Sequence, residues 1–219
     1  QVEAQINQVL GNVAQPGTKI RAISETGFNG IYQVEIGSDV MYVFTQDDQV
    51  LLGQLFDSKN NINHSAEANR KRVGKLMSDL DTSQMIVFGP EDADRYINVF
   101  TDVDCGYCRK LHTEVSELNA AGLQVRYMAY PRSGIDSKTY HTMVSVWCSD
   151  DQKTALTEAK LGRYPEDATC SNPVSDQYSL GQQVGVTGTP TIITDSGEVI
   201  PGYMPSEALL THLGIIQPE

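Results

Sequence analysis

Apolar positions change their spacing twice along this chain, and each change marks a new kind of element. Over residues 18–57, apolar and polar side chains alternate in short runs at 19–24, 31–36, 40–46 and 50–56, and each run reads as a strand. Gly27-Phe28-Asn29-Gly30, Gly37-Ser38-Asp39 and Gln46-Asp47-Asp48-Gln49 supply the turns between them. The expected product is a small antiparallel sheet with too few residues to cover both of its own faces, so it needs a partner surface. A polar stretch, 57–64, separates it from residues 65–81, where Val73, Leu76, Met77 and Leu80 recur at three- and four-residue spacing. That spacing predicts a linker helix with one apolar stripe. Gly74 weakens this helix by up to about 1 kcal/mol relative to alanine and lets it bend.

From there strand and helix signals alternate, the pattern of an α/β domain. Residues 85–88 and 96–103 read as strands, the second apolar enough to lie centrally, and 123–129 as a third. Leu111, Val115 and Leu118 mark a helix between them that begins at Cys105-Gly106-Tyr107-Cys108. Beyond Pro131 a helical insertion shows at Tyr140, Met143, Val144, Trp147 and Cys148, at i, i+3, i+4, i+7 and i+8. Residues 191–194 and 199–200, around Asp195-Ser196-Gly197, predict a hairpin, and 206–213 a last helix. Three segments result: a strand domain at 1–64, the linker helix at 65–82 and an α/β domain at 83–219.

Composition changes this picture little. Sixteen basic and 28 acidic side chains leave a formal charge of -12, which repels phosphate backbones and anionic lipid and makes nucleic acid and membrane surfaces poor partners. The acids are scattered, as a solvated surface would have them. No apolar run approaches the roughly 20 residues of a bilayer span, and Gln1-Val2-Glu3-Ala4-Gln5 is not the start of a signal peptide, as in a processed exported chain. Four cysteines, an even number, favour an oxidising compartment only weakly.

The chemistry lies in Cys105 and Cys108. Cys105 falls where a strand stops and a helix starts, so unpaired N–H groups and the positive end of the helix dipole favour its thiolate, the nucleophile of disulfide exchange. Cys108, one turn inside, is close enough to close a disulfide and less exposed, which makes Cys105 the attacking and Cys108 the resolving thiol. Asp102 and Asp104 oppose the thiolate by charge while Arg109 and Lys110 support it, a balance the sequence leaves open. Haem attachment would need histidine where Arg109 stands. A zinc site could draw on Cys105, Cys108 and His112, but no second Cys-x-x-Cys supplies a fourth ligand, and an inert disulfide is the remaining alternative. Redox exchange, with no metal or other cofactor, is the favoured reading. His112 reads as a packing or capping residue, and Tyr107, forced outward between the cysteines, as a substrate contact.

Phe100-Thr101-Asp102, Cys105-Gly106-Tyr107-Cys108, Lys110-Leu111-His112, Val125-Arg126-Tyr127, Trp147-Cys148, the run Gly185-Val186-Thr187-Gly188-Thr189-Pro190 and Pro201-Gly202-Tyr203 resemble the bacterial periplasmic disulfide isomerases of the DsbC type. The resemblance covers the catalytic half and, in layout, the N-terminal half. It implies a thioredoxin-like catalytic domain with a helical insertion, and a V-shaped homodimer joined through the N-terminal antiparallel β domains. Such enzymes work in the periplasm, are kept reduced by a membrane thiol reductant of the DsbD type, reshuffle wrong disulfides in exported proteins and show chaperone-like binding. It further implies a cis Thr189-Pro190 bond beside the cysteines, where a generic X-Pro bond is cis only about 5 to 6% of the time. Thr187, Gly188 and Thr189 would then offer backbone groups to a substrate strand. Cys148 and Cys170 resemble the family's structural disulfide. Thioredoxin's buried acid, six residues before the attacking cysteine, is Val99 here, and Arg109 stands where histidine is more familiar. A monomeric oxidase or reductase on the same fold and a holdase chaperone are the competing functions.

Overall fold

Helix α1 (Val2–Leu10) opens the chain, an element that the strand signals after it do not announce. Its Ile6, Val9 and Leu10, at i, i+3 and i+4, are buried as one stripe. The computed structural model describes residues 2–11, 13, 19–37 and 39–217; Thr18, at the start of the expected strand unit, and Ser38, in one of its turns, lie outside the described residues. The chain divides into two compact units, Gln1–Arg72 and Val73–Glu219.

In the first unit β1 (Ile20–Glu25), β2 (Ile31–Ile36), β3 (Asp39–Phe44) and β4 (Gln49–Leu51) form an antiparallel sheet in chain order. The stripe of α1 packs on Val34, Ile36, Met41 and Val43, alternate residues of β2 and β3, and closes one face. Tyr42 points the other way, almost fully buried, with its hydroxyl 2.6 Å from that of Ser65. The strand expected at 50–56 is two pieces. Beyond β4 the Leu55 N–H donates to Ser65 Oγ at 2.7 Å and its carbonyl accepts from His64 N–H, so this backbone leaves the sheet. It resumes as β5 (Phe56–Asp57), paired with β6 (Ile62–Asn63). The polar stretch expected to be a plain separator is therefore a hairpin, its turn held by the N–H groups of Lys59 and Asn60 on Asp57 Oδ1.

Helix α2 (His64–Ser78) runs past the dividing point. It stops three residues short of the expected end, and Asp81 caps a 3-10 turn, Thr82–Gln84, by accepting from Ser83 N–H. The second unit continues with β7 (Ile86–Phe88), β8 (Arg95–Thr101), α3 (Gly106–Thr113), α4 (Val115–Ala120), β9 (Leu123–Ala129), α5 (Lys138–Trp147), α6 (Gln152–Lys160), α7 (Val174–Val184), β10 (Thr191–Thr194), β11 (Val199–Pro201) and α8 (Ser206–His212). Its sheet runs β11-β10-β8-β9-β7, with β8 and β9 parallel and the other pairs antiparallel.

Both faces of this sheet are covered. Ile97, Val99, Val125, Tyr127, Ala129 and Ile192 join one core with Leu111, Leu118, Met143, Trp147, Leu156 and Leu209. Phe100, Met128 and Ile193, their alternates, join a second core with Val73, Met77, Tyr130 and Val184. Each such side chain, fully withdrawn from water, contributes about 1.5 to 3 kcal/mol. The single helix expected after the cysteine motif breaks at Glu114, whose carboxylate is drawn to the Tyr203 hydroxyl and the Ser206 N–H. The insertion beyond Pro131 is three helices, and a Cys148–Cys170 disulfide ties the end of α5 to the segment before α7, bracketing α6. Gly181 lets α7 lie against the Tyr130 ring, because a Cβ there would meet it at 2.5 Å.

Candidate active site

Central strand β8 ends at Thr101, and four residues later the chain enters α3. Cys105 is the N-cap of that helix in extended conformation, its carbonyl taking the Arg109 N–H at 3.0 Å. Its sulfur thus stands at the positive end of the helix dipole. Cys108 lies one turn on, and both thiols are free. Their expected difference in exposure is small, 3% for Cys105 against 0% for Cys108, so what separates the two is their electrostatic environment. The Cys105 thiol is held well below the ordinary range, chiefly because Cys108 donates a hydrogen bond to its thiolate, with the Arg132 charge added, against a burial that works to raise it. The Cys108 thiol is pushed far above that range, by burial first and then by giving its hydrogen to Cys105.

The charges left in balance by the sequence resolve through residues far along the chain. Asp102, buried, accepts the Arg132 N–H at 2.9 Å and Arg132 Nε at 3.1 Å on one oxygen, and the Asp104 N–H at 2.7 Å on the other. Asp104 is held below the usual carboxylate range: burial raises it, but hydrogen bonds from Thr139 and Tyr164, both at 2.6 Å, and the Arg109 charge prevail. Arg109 turns to the Val103 carbonyl at 3.0 Å and to Asp104, and Lys110 lies over the Tyr203 ring at 4.7 Å. A cation that favours the thiolate is Arg132, which the sequence reading did not single out; its only local signal is a place three residues after the end of β9.

The Thr189-Pro190 bond is cis and stands beside the motif, with the Cys105 sulfur 3.1 Å from the Thr189 carbonyl oxygen. A Cβ built on Gly106 or Gly188 would meet nothing within 4 Å, so the backbone at both glycines borders open space. Tyr107 is 64% exposed and stacks on Tyr203 at 5.9 Å between ring centres.

His112 is engaged at both ring nitrogens, Nδ1 with the Tyr127 hydroxyl and Nε2 with Thr157 Oγ1, each at 3.0 Å. This packing role leaves it unable to join the cysteines as a metal ligand. Behind Cys108 the protein buries a lysine: Lys160, at the end of α6, donates to Thr101 Oγ1 at 2.7 Å, and the Thr101 hydroxyl in turn bonds Cys108. The sequence reading missed Lys160 and quoted Thr101 only within the Phe100-Thr101-Asp102 motif. Lys160 reads locally as an ordinary basic residue in a last helical turn.

Residues 83–216 match the thioredoxin-like domain family, and residues 1–66 match the disulfide bond isomerase protein N-terminal domain. The thiol:disulfide interchange protein DsbC of Salmonella typhimurium is 35% identical over 201 residues, 92% of this chain and 82% of that protein. That of Escherichia coli K12 is 34% identical over 213 residues, 96% of this chain and 87% of that protein. A solved disulfide interchange protein from Neisseria gonorrhoeae superposes with a TM-score of 0.55 at 27% identity, covering 64% of this chain and 100% of that one. With both halves matched and about a third of its residues shared over most of its length, the chain belongs to the DsbC family of thiol:disulfide interchange proteins.

Proposed function

We propose that this protein reshuffles non-native disulfides in exported proteins of the periplasm, working as a homodimer through its N-terminal domains. Cys105 attacks a substrate disulfide and forms a mixed disulfide. Either the freed substrate thiol then attacks again, which is isomerisation, or Cys108 attacks Cys105 and releases a reduced substrate. The observation that carries this reading is the opposed pair of thiols at the start of α3, one held as a thiolate and the other held protonated. That combination lets the mixed disulfide persist, since a resolving thiol that ionises with difficulty leaves the substrate time to rearrange. Open backbone at Gly106 and Gly188 and the exposed Tyr107 ring supply sequence-tolerant contacts for a misfolded, disulfide-containing chain, which is the basis of chaperone-like binding. Cys148 and Cys170 play a structural part, and no metal or other cofactor enters the chemistry. Return to the dithiol state falls to a membrane thiol reductant of the DsbD type.

Refolding of scrambled ribonuclease decides between this function and its rivals. The parent restores ribonuclease activity in catalytic amounts and Cys105→Ser does not. Equal recovery with Cys105→Ser would leave a holdase, and dithiol oxidation or reduction without any recovery from the scrambled state would leave a simple oxidoreductase.

A further inference from the structure

Lys160 is an expensive residue to keep where it is. It is 3% exposed, its amine nitrogen is withdrawn from water, and no carboxylate pairs with it among the described residues. Asp102, the nearby buried acid, is taken by Arg132. The hydrogen bond that Lys160 does make, 2.7 Å to Thr101 Oγ1, continues from the Thr101 hydroxyl to Cys108, and its Nζ lies 5.1 Å from the centre of the Tyr127 ring. The chain therefore runs from one buried titratable group through a hydroxyl to another, beneath the reacting sulfurs. Val99, the position where thioredoxin has its acid, can hold no proton.

We infer that Lys160, acting through Thr101, accepts the proton that Cys108 must lose when it resolves a mixed disulfide. The inference rests on the reading of Cys108 as the resolving thiol. In the step, Lys160 starts as the neutral amine and the Thr101 hydroxyl turns to donate to its Nζ; the Cys108 S–H bond breaks and its proton passes to Thr101 Oγ1, while the proton of the Thr101 hydroxyl passes to the Lys160 amine, which becomes an ammonium. The Cys108 thiolate forms a bond to Cys105 Sγ. The bond from Cys105 Sγ to the substrate sulfur breaks, and its electron pair leaves on that sulfur, which takes a proton from solvent. Two electrons have moved from the cysteine pair to the substrate disulfide. When a dithiol reductant reopens the Cys105–Cys108 bond, the proton returns from Lys160 through Thr101 to Cys108.

The surroundings allow this traffic. Burial, foremost, holds the Lys160 amine down to about 8, against the attraction of Cys108, Cys105 and Asp102 and with the repulsion of Arg109. Cys108, Cys105, Arg109 and His112 face it from α3, Asp102 from the loop before that helix, and Tyr127 from β9. Lys160 is thus a positioning residue for the resolving step and touches no substrate.

Reaction of the reduced, full-length protein with 5,5′-dithiobis(2-nitrobenzoate) reads the two steps apart. The first thionitrobenzoate released reports attack by Cys105, and the second reports displacement by Cys108. In Lys160→Met the ratio of second to first rate at pH 7 should fall about tenfold or more, and the pH profile of the second step should move to higher pH. Thr101→Val should do the same with Lys160 in place, and Thr101→Ser, which restores the hydroxyl, should recover most of the loss. A second step with the parental rate and pH profile in Lys160→Met and Thr101→Val would overturn the relay, as would a Thr101→Ser no faster than Thr101→Val. If Lys160→Met does not fold, the two Thr101 variants decide alone. A second release that survives in Cys108→Ser would instead remove the resolving role of Cys108, and the relay with it.

Discussion

At the scale of single residues, the candidate site gives two like groups unlike surroundings. Cys105 and Cys108 differ by one helical turn, yet one sulfur receives hydrogen bonds and a guanidinium field while the other is desolvated. The same reasoning applies to His112, whose ring is held neutral down to about 4 by burial first and by the Lys160 charge second, against an ordinary 6.5. In the unfolded chain this ring takes up a proton near pH 6.5, whereas in the folded protein it does so only near pH 4. Its contribution to stability is therefore intact above about pH 6.5 and is lost as the pH falls toward 4, at no more than about 1.4 kcal/mol per pH unit. Urea denaturation at pH 7 and pH 5 checks this. The parent should lose on the order of 1 to 2 kcal/mol from this group. His112→Gln should start lower at pH 7, having lost its bonds to Tyr127 and Thr157, but should lose correspondingly less on acidification. Equal acid losses in the two proteins would clear the imidazole of the effect.

At the scale of elements, the strand ends and helix starts that gather the site depend on distant anchors. Glu114 divides the motif helix by drawing Tyr203 and Ser206 to it, and Asp104 holds Thr139 of α5 and Tyr164 of the segment after α6. The Cys148–Cys170 disulfide secures that same insertion across a sequence separation of 22. Closing a loop of this length limits the unfolded chain and adds on the order of 3 kcal/mol. Replacing both cysteines by alanine should lower the urea midpoint by a corresponding amount. Insulin reduction by the folded variant should stay near the parental rate, because neither sulfur reaches the thiols of α3. A variant that keeps its fold and loses its reductase activity would place this pair in the electron path instead.

At the scale of the whole molecule, the proposed function gives the two compact units separate tasks. The first is a sheet closed on one face by α1, leaving Phe28, Leu51, Leu52 and Phe56 exposed on the single chain. The second holds every residue of the candidate site and its own two cores, the second of which includes Val73 and Met77 of α2. Removing residues 1–64 should therefore leave a folded monomer that still reduces disulfides through Cys105 and Cys108. Its isomerase and chaperone activities should fall steeply, since reshuffling needs the substrate to stay bound while its freed thiol searches, and two linked arms hold a chain longer than one surface does. Sedimentation of both forms beside the two assays provides the check. A monomeric full-length protein, or a truncation that isomerises as well as the parent, would point to a monomeric oxidoreductase.

Local pattern was enough for much of this. Residues 123–129 form a strand because their own apolar side chains demand burial on both faces, and Cys105 sits at a helix start because strand and helix periodicities meet there. The N-terminal helix escaped because nine residues with three apolar positions on one stripe, Ile6, Val9 and Leu10, make a weak periodic signal until a sheet is there to receive them. Lys160 and Arg132 escaped for a different reason. Each is an unremarked basic side chain among its neighbours in sequence, and only the packing of α6 and of the segment after β9 around the end of β8 brings them to the sulfurs. Spacing along the chain determined which atoms can react; burial and charge at long sequence separation, which exist only once the chain is folded, decided which thiol is ionised and where its partner's proton can go.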